Sequence, residues 1–217
     1  MGKAFYKHLS ATLMDSGYKR VKYSIFRKKI ENTDLSSFVE LNFFGYGSAR
    51  LVCNFGLSSS GALAFANTCL QLYGGALYAD RPPMGRLAYF NINCQVGRVC
   101  DWSPRAALQL EDYNIVDAVS KLMSDVEQRI APHFERVSDL RSFGSLAIAD
   151  PEWAHWIYCH RAIRAAEYVY VSKLFGKSSS DISADLQPYL KDIRTGIDRN
   201  IAPEVFLENV INHPISN

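Results

Sequence analysis

The stretch SFVELNFFGYGSARLVCNFGL, residues 37–57, decides the fold. Val39, Leu41 and Phe43 alternate with more polar neighbours, a period of two that marks a half-buried strand over 37–44. Residues 50–57 read as a second strand. Between them Gly45-Tyr46-Gly47-Ser48 is a tight turn, far too short for the crossover that a parallel pair requires. The two strands must therefore pair antiparallel.

Working outward, residues 19–30 show the same alternation. Val21, Tyr23 and Ile25 are expected on one side, with Arg20, Lys22, Ser24 and Lys28 on the other, and Glu31-Asn32-Thr33-Asp34 supplies the turn into the next strand. The result is a three-stranded meander. Before it, Phe5, Leu9 and Leu13 recur every four residues and predict a helix over 3–16, closed by Gly17, the residue that a left-handed C-terminal cap favours. After it, Ser58-Ser59-Ser60-Gly61 leads into a helix over 62–72, stopped by Gly74-Gly75. Asp80-Arg81-Pro82-Pro83 is a loop, because two prolines preclude pairing. A fourth strand is expected over 86–99. It carries Ala88, Phe90, Ile92, Cys94 and Val96 on one face and Tyr89, Asn91, Asn93 and Gln95 on a polar one.

Beyond Trp102 the period becomes helical. Ile115, Val119, Leu122, Val126 and Ile130 mark one helix, stopped near Pro132; Phe134, Val137 and Leu140 mark a short segment. The best-punctuated helix runs over 151–175, with Asp150 as N-cap, Pro151 in the first turn and Gly176 past the end. Residues 178–181 cap a further helix, which Pro188 kinks or divides, and Pro203 opens a last one through Val210. Segregated strands and helices define an α+β fold, an antiparallel sheet of about four strands with helices on one face and a helical C-terminal half. The expected organisation is one domain over 1–217, with 1–110 forming the helix-and-sheet part and 111–217 the helical part.

Composition bounds the function. Of 217 residues 48% are hydrophobic and 21% charged, enough apolar material for a core. The net charge of +2 is too small to argue for a nucleic-acid partner, but it is unevenly placed: residues 1–60 hold nine Lys/Arg against four Asp/Glu, net +5, and the rest is net −3. Cys53, Cys69, Cys94, Cys100 and Cys159 are odd in number, scattered and without CxxC spacing, so reduced thiols in a cytoplasmic setting are expected. Lys3 and Lys7 are followed by an amphipathic stretch, so neither a secretory signal nor a membrane span is expected.

The search for chemistry returns little. His155 and His160 lie five apart, off the three- or four-residue spacing of a helical metal pair. His8, His133 and His213 have no local acidic or thiol companions. No nucleophile elbow, phosphate loop or dinucleotide fingerprint occurs. Catalytic residues, metal and cofactors are therefore expected to be none. The binding candidates are Asp101, Trp102 and Arg105, in the segment joining sheet to helices, and Arg161 and Arg164, three apart on the long helix, where two guanidinia could hold a carboxylate or phosphate. A buried tryptophan anchoring the two layers is the preferred reading of Trp102, and an intrahelical ladder with Glu167 is the commoner explanation of the arginines.

An opening amphipathic helix, then Ser16-Gly17-Tyr18-Lys19-Arg20 leading into Tyr23-Ser24-Ile25-Phe26-Arg27, a meander with Val39-Glu40-Leu41-Asn42-Phe43, and a late strand ending at Cys100-Asp101-Trp102 form an ordered set. Over residues 3–130 it resembles a bacterial family catalogued as domain of unknown function 4304. That resemblance implies no catalytic residues. The expected function is a non-catalytic protein-binding domain of the immunity type, whose partner is a bacterial toxin. One alternative is an enzyme or small-ligand binder with its site on the polar sheet face near Asn91, Asn93 and Gln95, or near Trp102. The other is a nucleic-acid module using Arg20, Lys22 and Lys28.

Overall fold

A computed structural model describes residues 2–44, 50–79, 92–102, 106–149 and 161–215. The elements of the first part are α1 (Gly2–Asp15), β1 (Lys19–Lys22), β2 (Ile25–Lys29), β3 (Leu35–Phe44), β4 (Arg50–Ser59), α2 (Ser60–Tyr73), α3 (Ala76–Ala79), β5 (Ile92–Gln95), α4 (Val96–Val99) and β6 (Leu108–Gln109). Helices follow: α5 (Ile115–Asp125), α6 (Ala131–Glu135), α7 (Leu140–Ile148), α8 (Arg161–Leu174), α9 (Ser179–Leu186), α10 (Leu190–Ile193) and α11 (Pro203–Asn212). The fold is α+β with an antiparallel sheet. Its described residues divide into two compact units whose segments interleave along the chain: 2–57 with 92–138, and 58–79 with 139–149 and 161–215.

The first unit holds the sheet, in the order β1-β2-β3-β4-β5, with β6 also pairing β4. One face of β3 is set by Val39, opposite Phe26, and continues through Leu41 and Phe43. Helix α1 covers it: the Phe5 ring meets Phe43 edge-on at 6.1 Å, and Tyr6 packs on Phe26 and Phe43. Helix α5 packs beside α1, burying Ala118, Val119 and Leu122, and the ring of Phe134 of α6 packs at a tilt against Phe55 of β4, centroids 5.1 Å apart. Gly17, at φ +87°, closes α1 as its position in the sequence predicts. The amide of Tyr18 reaches back to the Leu13 carbonyl and that of Gly17 to Met14.

The structure corrects the sequence reading in three places here. Residues 19–29 are two strands, not one: Lys22 pairs with Ile25, so the chain reverses at Tyr23-Ser24. Alternation ran straight through a turn that contains no Gly, Asn or Pro to mark it. The strand expected over 86–99 stops at Gln95, and Val96–Val99 is a helical turn. A Cβ on Gly97 would lie 2.0 Å from the Ala106 carbonyl oxygen, so the chain there is held too closely for a strand bearing side chains. Residues 86–91 and the turn at 45–48 lie outside the described residues. Finally, Pro132 does not end the helix of Ile115. A π-helical turn, Val126–Ile130, carries the chain into α6, whose first turn accommodates the proline.

The second unit is helical. Its core joins Phe65, Ala66, Cys69 and Leu70 of α2 to Ala162, Ile163, Ala166 and Val169 of α8 and to Phe206, Leu207 and Val210 of α11. Ser59 caps α2, its hydroxyl accepting the Ala62 amide at 3.1 Å, so capping accounts for a member of the serine run. Helix α7, of which the sequence reading marked only Leu140 at the end of its short segment, begins with a capping box between Asp139 and Ser142. Gly176, at φ +73°, closes α8 as predicted, with Lys177 bonded back to the Ser172 carbonyl. Asp150 and the expected helical residues 151–160, with Cys159, His155 and His160, lie outside the described residues. Ser178 caps α9, Pro188 lies in a 3-10 turn after it, and Pro203 opens α11. No helix among the described residues is long and apolar enough to cross a membrane.

Candidate binding surface

The β1–β2 hairpin gathers charge. Residues 19–29 carry six Lys/Arg and no Asp/Glu, and residues 1–30 carry eight against one, a net +7 concentrated in this part of the first unit. All six hairpin cations are exposed, and every residue of β1 is exposed. The side chains of Lys19, Arg20 and Lys29 have no ion-pair or hydrogen-bond partner among the described residues. Arg27 and Lys28 are held down. Arg27 donates to the Ser36 hydroxyl at 3.0 Å and lies over the Phe38 ring, while Lys28 donates to the Ser16 carbonyl at 3.0 Å and lies over Tyr18.

Apolar groups interrupt the charge. Val21 is 42% exposed, and Tyr23 at the turn is 69% exposed. Tyr23 is nonetheless fixed: its ring stacks on Tyr6 at 4.7 Å, nearly parallel at 10°, and the Tyr6 hydroxyl donates to the Tyr23 carbonyl. Lysines on an edge strand and the register irregularity between Arg20 and Lys22 both discourage strand addition, which accounts for the charge. They do not account for a rigid aromatic left facing solvent beside them. Exposed, pre-ordered aromatics flanked by unpaired cations are the elements from which protein interfaces are built.

The residues singled out from the sequence fall elsewhere. Trp102 is buried and its indole Nε1 donates to Asp125 at 2.7 Å; Lys121 grips the same carboxylate at 2.9 Å. It fastens the segment after α4 onto α5, the anchoring arrangement that the sequence reading preferred. Neighbouring Cys100 is pushed up to about 11, chiefly by burial and then by Asp125. Asp101 is exposed and lies 3.6 Å from Arg129. Arg105 lies outside the described residues. Arg161 and Arg164 do come together, on the carbonyl end of α7. Arg164, 3% exposed, donates Nε to Ala147 O at 2.7 Å and a second nitrogen to Ala149 O; Arg161 donates to Ile148 O at 3.1 Å and stacks on Tyr189 at 4.4 Å. Two guanidinia satisfy the orphan carbonyls of one helix terminus.

On the sheet's other face, Asn54 pairs with Gln95 across β4 and β5, and its amide donates to Glu40 at 2.9 Å. Both Asn54 and Gln95 are buried. Asn91 lies outside the described residues, and the Asn93 side chain is not described. His213 Nδ1 shares a hydrogen bond with the Tyr73 hydroxyl at 3.0 Å. His133 titrates below its ordinary value, through burial and then Arg136. Among the described residues no three His, Cys, Asp or Glu side chains are grouped to hold a metal ion. Sequence reasoning missed Lys19, Val21, Tyr23 and Lys29 as a set; the density of cations over 19–29 was the available signal.

The class defined by the structure is thus an α+β protein with a six-stranded antiparallel sheet, accompanied by a helical unit. No family model, curated protein or solved structure matches the chain.

Proposed function

We propose that the chain is a non-catalytic protein-binding domain that docks an acidic partner on its β1–β2 hairpin. The observation that carries this reading is the juxtaposition at the hairpin of unpaired Lys19 and Arg20 with exposed Val21 and the stacked, exposed Tyr23. The cations accelerate encounter and fix orientation, and the apolar groups supply the desolvated centre. In its particular form the proposal is an immunity-type protein of the bacterial cytoplasm, which blocks a toxin by occupying its surface. The free thiols of Cys53, Cys69, Cys94 and Cys100 suit that reducing compartment. The likeness to domain of unknown function 4304 belongs to the same proposal.

Co-expression with the product of the adjacent gene tests it. The expected result is a stoichiometric complex on size-exclusion chromatography and suppression of that product's toxicity. A complex without toxicity would overturn the toxin-neutralising form. Failure to bind that product, together with a salt-sensitive shift of duplex DNA or RNA, would replace the reading with the nucleic-acid one.

A further inference from the structure

Within the second unit, a cleft of about 390 Å³ opens along α7 and α8. Its size is that of a small-molecule site. Gly144 and Val171 form its closest-packed part: a Cβ on Gly144 would lie 2.5 Å from Val171, so the two helices are as close as a glycine allows. Polar groups converge on the rim. Arg141 is exposed, its guanidinium 4.6 Å over the centroid of the Phe175 ring; its side chain makes no hydrogen bond or salt bridge among the described residues, and the Asp139 carboxylate, engaged by Ser142, acts on it only through space. Ser172, buried apart from this opening, makes no side-chain hydrogen bond. Opposite, Lys177 donates to the Tyr168 hydroxyl at 3.0 Å and pairs with Asp185, to which Tyr168 also donates.

The charges decide the ligand. Asp185 neutralises Lys177, leaving the guanidinium of Arg141 as the cation of the lining that makes no salt bridge among the described residues. A planar fork with two parallel N–H donors matches a carboxylate, and the contact with the Phe175 ring restrains where it sits. The Phe175 ring and Val171 offer apolar surface for the remainder of a ligand. A doubly charged phosphate calls for more than one available cation, and the other cation of the lining, Lys177, is already held by Asp185. We infer that this cleft binds a small organic monocarboxylate, its carboxylate on Arg141 and Ser172 and its apolar body against Phe175 and Val171.

Calorimetric titration of the full chain with benzoate, benzamide and inorganic phosphate tests the assignment. Saturable benzoate binding with a Kd on the order of 1 mM or tighter is expected. Benzamide should bind at least about tenfold more weakly, and Arg141→Gln should weaken benzoate by about tenfold or more without moving the unfolding midpoint, since the side chain is exposed. Ser172→Val, which removes the hydroxyl and narrows the cleft, should also weaken it. No saturation with benzoate up to about 10 mM, equal binding of benzamide, tighter binding of phosphate, or full affinity in Arg141→Gln each overturns the inference. The hairpin reading does not depend on the outcome, because its partner binds through residues of the other unit.

Discussion

The β1–β2 hairpin of the first unit and the α7–α8 junction of the second both present a pair of close basic residues, and the two pairs do opposite work. Arg161 and Arg164 are turned inward, their donors absorbed by the carbonyls of Ala147, Ile148 and Ala149. The side chains of Lys19 and Arg20 stand in solvent with no partner among the described residues. A buried cation must find acceptors or it could not be buried, whereas an exposed one is satisfied by water and remains available. The functional candidates are therefore the cations that the fold does not use, and the comparison is sharpest when each pair is broken in turn.

Arg164→Met should have the largest effect. It leaves the Ala147 and Ala149 carbonyls without their guanidinium, and a loss of about 3 kcal/mol in unfolding free energy is expected from urea denaturation. A loss under about 0.5 kcal/mol would show that water replaces the arginine and that the inward pair is not structural. Trp102→Phe removes the donor to Asp125 while keeping most of the ring, and should cost about 1.5 kcal/mol by the same measurement.

Asp139→Ala should cost about 1 kcal/mol by removing the N-cap of α7. The Ser142 amide and hydroxyl hold the Asp139 carboxyl below its ordinary 3.8. A carboxyl lowered on folding contributes stability that is complete above its unfolded value and fades as pH falls through the native one. The difference between wild type and Asp139→Ala should consequently be constant above about pH 5 and shrink below pH 3.8. A difference that persists at pH 2 would mean that the charge is irrelevant to the cap.

How much of this was legible beforehand follows from the range of each signal. Gly17, Gly176, Ser178 and Pro203 punctuate helices locally, and each stands at the terminus its chemistry predicted. The alternation in β3 was likewise local. The Tyr23-Ser24 reversal was not legible, because Ser24 alone is a weak turn signal and the register irregularity between Arg20 and Lys22 restores the phase that a two-residue turn shifts, so Arg20 pairs with Phe26 as unbroken alternation would place them on one face. Helix α7 was recoverable: Asp139 three residues before Ser142 is a capping pair that the apolar pattern of Phe134, Val137 and Leu140 obscured. The destination of Arg161 and Arg164 depended on a helix terminus thirteen to seventeen residues away, and the cleft joins Arg141 to Lys177 across a helix, so neither could be read from spacing.

The smallest effect on stability belongs to the surface that matters most. Charge reversal of Lys19 and Arg20 to Glu should change the unfolding free energy by less than about 0.5 kcal/mol. Titrating that doubly reversed chain against the adjacent-gene product, beside wild type, is the most direct test of the hairpin as a docking surface. The account predicts a Kd at least about tenfold weaker with the unfolding midpoint unchanged. An unaltered Kd for an intact, folded double variant would contradict it.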